Sequence, residues 1–121
     1  SGDVSMWPVL ADCERGLGKP LKALALAGSS EVSRLAKPEE IEMRIVASGA
    51  RRDLGEFDAA VITLTCKELK VKNEPWSIRL HYAYADALAS AGRSEEARQW
   101  FSACADLDED ESTDAYERAR Q

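Results

Sequence analysis

At 121 residues the chain is sized for one domain, because a folded chain of this length hides roughly two thirds of its extended surface. A hydrophobic fraction of 45% beside 31% charged residues fits a soluble globule, and a formal charge of -6 argues against a duplex-binding role, where clustered Lys and Arg supply most of the affinity. No run approaches the ~18 apolar residues of a membrane span, and "SGDVSMW" lacks the basic start and apolar stretch of a signal peptide, so a cytoplasmic location is expected.

Taken in chain order, helices are expected near 5–16, 20–28, 38–54, 57–66, 75–91, 94–106 and 113–120, with "SSEVSRLAK" and "KELKVKNE" as connectors. The first two helices meet at "GKPLKAL" from Gly18, the next two at "GEFDAAV" from Gly55, and the third pair at "GRSEEAR" from Gly92. These glycines are spaced by 37 residues twice over, from 18 to 55 and from 55 to 92. Five residues after each stands Ala23, Ala60 or Ala97, and four further on Ala27, Leu64 or Phe101. Seven residues before each lies Ala11, Ser48 or Ala85, preceded by Leu10, Ala47 or Tyr84. Pro38 and Pro75 stand seventeen residues before the second and third glycines, suited to a first helical turn where a missing N–H costs nothing. Each unit therefore reads as helix, glycine turn, helix.

Glycine after the first helix can adopt the left-handed conformation that ends it, and Ser94 with Glu95 and Glu96 is expected to supply a cap and negative charge for the next N-terminus. The small residues would let paired helices approach to roughly 8–10 Å, with Leu10, Tyr84, Leu64 and Phe101 filling the space beside them. One such hairpin cannot bury its apolar face alone, so successive hairpins are expected to stack.

Helix pairs with this order of small residue, turn glycine, alanine and aromatic or aliphatic residue resemble tetratricopeptide repeats (TPR). The unit "IRLHYAYADALASAGRSEEARQWFSACADLDED" is the closest match, with Tyr84, Ala85, Leu88, Gly92, Ala97 and Phe101 at signature positions. Glu14 and Arg51 depart from the pattern where an aromatic or leucine is usual, and the proline that commonly closes a repeat is missing from all three. The resemblance implies an all-α fold: a TPR-like right-handed helical stack, an α-α superhelix, of about three helix-turn-helix repeats of 37 residues (4–37, 38–74 and 75–111) and a C-terminal capping helix over 112–121. All of it is expected within one domain, 1–121. The wording of "MWPVLADCERGLGKPLKALALAG", "EMRIVASGARRDLGEFDAAVITL" and "RLHYAYADALASAGR" further resembles the C-terminal region of an uncharacterised TPR family from high-GC Gram-positive bacteria. That resemblance implies further repeats upstream and a basic extension beyond them. A start at "SGD" fits a fragment cut between repeats.

In such repeats the first helix of every pair lines a concave groove. Register then nominates Asp12 and Arg15 from the first unit, Glu42, Ile45, Gly49 and Arg52 from the second, and Arg79, Tyr82 and Asp86 from the third as partner-binding residues. Mixed charges around Ile45 and Tyr82 suit an extended peptide or a helix with an apolar anchor; the competing account is a solvated face, or one covered by the chain's own last helix. The carboxylate clamp of some relatives does not carry over, because Pro8, Val9, Asp12, Ile45, Val46 and Gly49 occupy its positions. The expected function is a non-catalytic scaffold for a protein or peptide. The alternative is an RNA- or ribosome-associated protein whose basic extension binds nucleic acid while this domain does not. Packing against upstream repeats or self-association through the N-terminal end is also expected, and an exposed Trp7 would mark that place.

Neither a cofactor nor a resident metal is expected. Cys13, Cys66 and Cys104 form no CxxC, only His81 accompanies them, and they read as reduced thiols packed as small hydrophobes. "GLGKP" lacks the spacing of a phosphate loop. Asp106, Asp108, Asp110, Ser112, Asp114 and Glu117 fall at the ligand positions of a calcium loop, but Glu111 stands where its sharp turn calls for glycine. His81 has no nucleophile at motif spacing and reads as a packing residue, so no enzyme activity is expected.

Overall fold

The computed structural model describes residues 3–121, and every regular element among them is helical. The helices are α1 (Trp7–Gly16), α2 (Pro20–Ala27), α3 (Lys37–Asp53), α4 (Phe57–Leu64), α5 (Ser77–Ser90), α6 (Ser94–Leu107) and α7 (Ala115–Ala119), with short 3-10 turns at Val4–Met6, Ser30–Arg34 and Lys67–Lys70. No helix is long and apolar enough to cross a membrane. The chain divides into two compact units, Ser1–Thr63 and Leu64–Gln121.

The glycine turns explain why the helices end where they do. Gly18, Gly55 and Gly92 take φ of 78°, 75° and 79°, the left-handed region that costs glycine little. Each glycine N–H donates to the carbonyl three residues back, of Arg15, Arg52 and Ala89, at 2.9, 2.9 and 3.1 Å. The next N–H, of Lys19, Glu56 and Arg93, reaches the carbonyl five residues back, of Glu14, Arg51 and Leu88, at 2.8, 2.9 and 3.0 Å. This is a Schellman pair of bonds, which satisfies carbonyls that a helix end would otherwise orphan. It occurs three times in the same 37-residue register.

In the first unit α1 and α2 pack on each other and on α3. Ala11 and Ala23, both fully buried, join Met43, Val46 and Ala50 of α3 in one cluster, with Val4 and Leu35 at its edges and Trp7 packed against it. The 17-residue α3 starts with Pro38, Glu39 and Glu40 in its first turn and ends with Arg51 and Arg52 in its last, an arrangement that suits the helix dipole. Where Ser48 occupies the small-residue position its hydroxyl is buried and donates to the Ala60 carbonyl of α4 at 2.9 Å. A polar side chain is thereby tolerated at that contact, because its hydrogen bond is made.

In the second unit α5 packs on α6, and α6 on α7. Ala85 and Ala97 are buried in the register of Ala11 and Ala23, beside Leu80, Leu88 and Phe101. Trp100 packs edge-on to Tyr84, with ring centroids 4.8 Å apart, and lies 5.5 Å from the His81 ring. His81 is buried, its Nδ1 lies 2.8 Å from the Ser77 carbonyl, and burial holds its pKa below the ordinary value. It is a neutral packing residue.

Four local expectations are corrected. Pro75 lies outside α5, which begins at Ser77: the buried Ser77 hydroxyl donates to the Val71 carbonyl at 2.8 Å and accepts from the Glu74 N–H at 3.2 Å, so residues 74–76 form a turn before the helix. Ser94 supplies no cap, because it is the first residue of α6 and the preceding Arg93 makes no capping bond from its side chain; the connectors, which hold as such, carry 3-10 turns, with Ser29 capping Ser30–Arg34 by accepting from the Glu31 N–H. Leu10 fills no space between helices; it is 51% exposed. Cys13 is likewise exposed, because it shares with Leu10 the side of α1 turned away from the core.

Candidate functional site

Three of the nominated residues meet in the first unit. The Arg15 guanidinium donates from Nε to Asp53 Oδ2 at 2.8 Å, from Nη2 to Asp53 Oδ1 at 3.2 Å, and from Nη1 to Asp12 Oδ1 at 3.0 Å. It lies flat over Gly49, where an added Cβ would sit 2.5 Å from Arg15 Cζ. A Cβ at position 49 would push the Arg15 guanidinium, the far end of a flexible side chain, out of this seat, while the backbone itself makes no demand for glycine, since Gly49 lies within α3 with no positive φ. Asp12, Arg15 and Asp53, together with Gly16, Gly18 and Pro20, line an open hollow of about 470 Å³. Glu42, Ile45 and Arg52 of α3 are half-buried. Asp53 went unnominated, although its carboxylate is what orients Arg15.

In the second unit Tyr82 and Asp86 are half-buried and already engaged, while Arg79 is exposed. The Tyr82 hydroxyl donates to Asp114 Oδ1 at 2.6 Å. Arg118 of α7 donates to Asp86 Oδ1 at 2.9 Å and to the Tyr82 oxygen at 3.2 Å, and its Cζ stands 4.3 Å from the Phe101 ring centroid. Phe101 and Tyr82 are themselves stacked edge to face at 5.3 Å. A cation held between a carboxylate and an aromatic face gains from both contacts. The chain's last helix therefore occupies this part of the nominated face, an arrangement that no local sequence signal encodes.

The acidic stretch before α7 folds as a self-satisfied loop. Asp108 is only 5% exposed and accepts four bonds: from the Ser112 N–H and hydroxyl at 2.9 and 2.7 Å, and from the Thr113 N–H and hydroxyl at 2.8 and 2.6 Å. The Thr113 hydroxyl first, then the Ser112 hydroxyl, hold its pKa down to about 2. Glu111 takes φ 51°, the left-handed turn that the calcium reading reserved for glycine. The Asp108 carboxylate is nonetheless committed to the loop, and among the described residues no group of three or more His, Cys, Asp or Glu side chains could hold a metal ion.

Compared with known proteins, the chain matches no family model, no curated sequence and no solved structure.

Proposed function

We propose that the chain is a non-catalytic binding scaffold of the TPR type. In this reading its helix hairpins stack in chain order as a right-handed superhelix, and the faces of the first helices hold a protein or peptide. Support for the stack comes from three glycine turns with matching φ and the same pair of main-chain bonds at one spacing, since equal units each with an unburied apolar face favour stacking. Support for binding comes chiefly from one observation: Arg118 of α7 is seated on Tyr82, Asp86 and Phe101. In this chain α7 fills that part of the face, so a partner would bind there in place of α7, on an aromatic floor and a carboxylate suited to a cation. A partner segment with basic residues beside an apolar anchor suits that chemistry and the net charge of -6.

The experiment is affinity capture from native lysate with the immobilised chain, run beside Tyr82→Ala and Arg52→Glu. A partner held by the parent chain and lost from both variants supports the reading. Equal recovery from all three rejects the assignment of this face, and a compact spherical profile in small-angle scattering rejects the superhelix.

A further inference from the structure

A hollow of about 440 Å³ lies along the α1–α2 hairpin, lined by Trp7, Glu14, Lys22, Ala25, Leu26 and Ser29. It is of a size that takes a small molecule, and its two ends differ. Glu14, within α1, and Lys22, within α2, stand equally far before and after Gly18, so the packed hairpin places a carboxylate and an ammonium together at the end nearer the turn. Trp7 precedes Glu14 by nearly two turns on the same face of α1, about 10 Å along the axis, and with Ala25 and Leu26 it makes the rest of the wall apolar. Ser29, whose hydroxyl already accepts from the Glu31 N–H, closes the far end. The charged end is unsatisfied. Glu14 Oε2 is covered from water and has no hydrogen-bond partner, and neither the Glu14 carboxylate nor the exposed Lys22 ammonium makes an ion pair among the described residues. A carboxylate that has lost water at one oxygen without gaining a donor is destabilised, and a cation at its other oxygen relieves that deficit.

We propose that this hollow binds a free α-amino acid with an aromatic side chain. The ligand's ammonium donates to Glu14, its carboxylate accepts from the Lys22 ammonium, and its ring lies along Leu26 and Ala25 toward Trp7, where aromatic contact adds to apolar burial. The choice of ligand follows from where the charges are. A free amino acid carries an ammonium and a carboxylate on one carbon, which matches opposite charges gathered at one end of an otherwise apolar trough. A peptide separates its two termini. A simple amine leaves Lys22 without an anion, and a simple acid sets its charge beside Glu14 with nothing to offset the repulsion. All six lining residues belong to the first unit, so this site stands apart from the α5 face and does not depend on what that face binds.

The test is a titration of the isotope-labelled chain with L-phenylalanine, followed by NMR at the Trp7 indole N–H, a resonance assigned by its loss in Trp7→Phe. An open hollow and a ligand of about a dozen heavy atoms set the expected Kd at about 0.1–1 mM. Phenethylamine and hydrocinnamate each lack one of the two charges and should bind about tenfold more weakly, the worth of one charged hydrogen bond. Glu14→Gln should remove the preference for L-phenylalanine over hydrocinnamate, and Lys22→Met the preference over phenethylamine. A residue that merely holds the fold would not give that crossed pattern, and Lys22→Met, at an exposed position, should leave the helical circular dichroism unchanged. No movement of the Trp7 resonance up to about 10 mM L-phenylalanine, equal affinity for phenethylamine, or preferences that survive in both variants overturns the proposal.

Discussion

Removing the Asp108 carboxylate tests whether the acidic loop is a structural cap for the last helix. Asp108→Ala takes away the acceptor of four hydrogen bonds at 2.6–2.9 Å. Ser112 is exposed and Thr113 half-buried, so water recovers part of the loss and the cost is about 2 kcal/mol, near the upper range for a lost cap. For a chain of this size that lowers Tm by about 6–8 °C. Asp108→Asn keeps one acceptor oxygen but turns an NH2 toward the other pair of donors, and should lose at least half as much. The pH dependence has a definite sign. The folded pKa of about 2 lies below the ordinary aspartate value of 3.8, so the stabilisation is fully present above pH ~4 and disappears as pH falls toward 2. Thermal melts of parent and Asp108→Ala between pH 7 and pH 2, followed by far-UV circular dichroism, should therefore differ at neutral pH and converge in acid. Equal Tm at pH 7, or a gap that persists undiminished at pH 2, refutes the reasoning.

Two glycines only two residues apart should respond oppositely to alanine in urea titrations. Gly18→Ala meets no atom within 4 Å yet keeps φ 78°, so it should lose about 1–2 kcal/mol to backbone strain, whereas Gly16→Ala, also unobstructed and at the end of α1, should gain about 0.5 kcal/mol. Gly49→Ala should leave overall stability within about 1 kcal/mol of the parent, because helix propensity offsets a surface ion pair. It should nonetheless abolish the coupling between Arg15 and Asp53 in a double-mutant cycle, and surviving coupling would show that the guanidinium does not need the glycine. Among the thiols, exposed Cys13 should react with Ellman's reagent in the native state, while Cys104, fully buried and raised by that burial to about 11, should react only after unfolding; rapid native labelling of Cys104 counts against its placement.

Most of the secondary structure was legible because its signals are local. A glycine, a small residue seven before it and an alanine five after it specify a turn and the two helices beside it, and all six of the small residues so marked are buried. Pro75 misled because the proline rule knows nothing of the Ser77 hydroxyl that builds a turn ahead of α5. Leu10 and Cys13 misled for a different reason: register says that their face is apolar, and cannot say whether anything lies upon it. The contacts that shape the nominated surfaces were not legible at all. Arg15 with Asp53 spans 38 residues and Arg118 with Asp86 spans 32, and pairing of charges at such separations leaves no periodic trace.

The three hairpin bends are made by main-chain bonds and a glycine, so the side chains that flank them are released from any part in holding the bend. Glu14, Arg51 and Leu88 share one structural place, and at the middle one Arg51 reaches Glu56 across the turn at 2.7 Å where an oily contact would serve equally. A library that randomises position 51 while leaving 18, 55 and 92 untouched would keep every corner of the chain, whereas position 88 is closed to such change, because Leu88 is fully buried in the core of its unit.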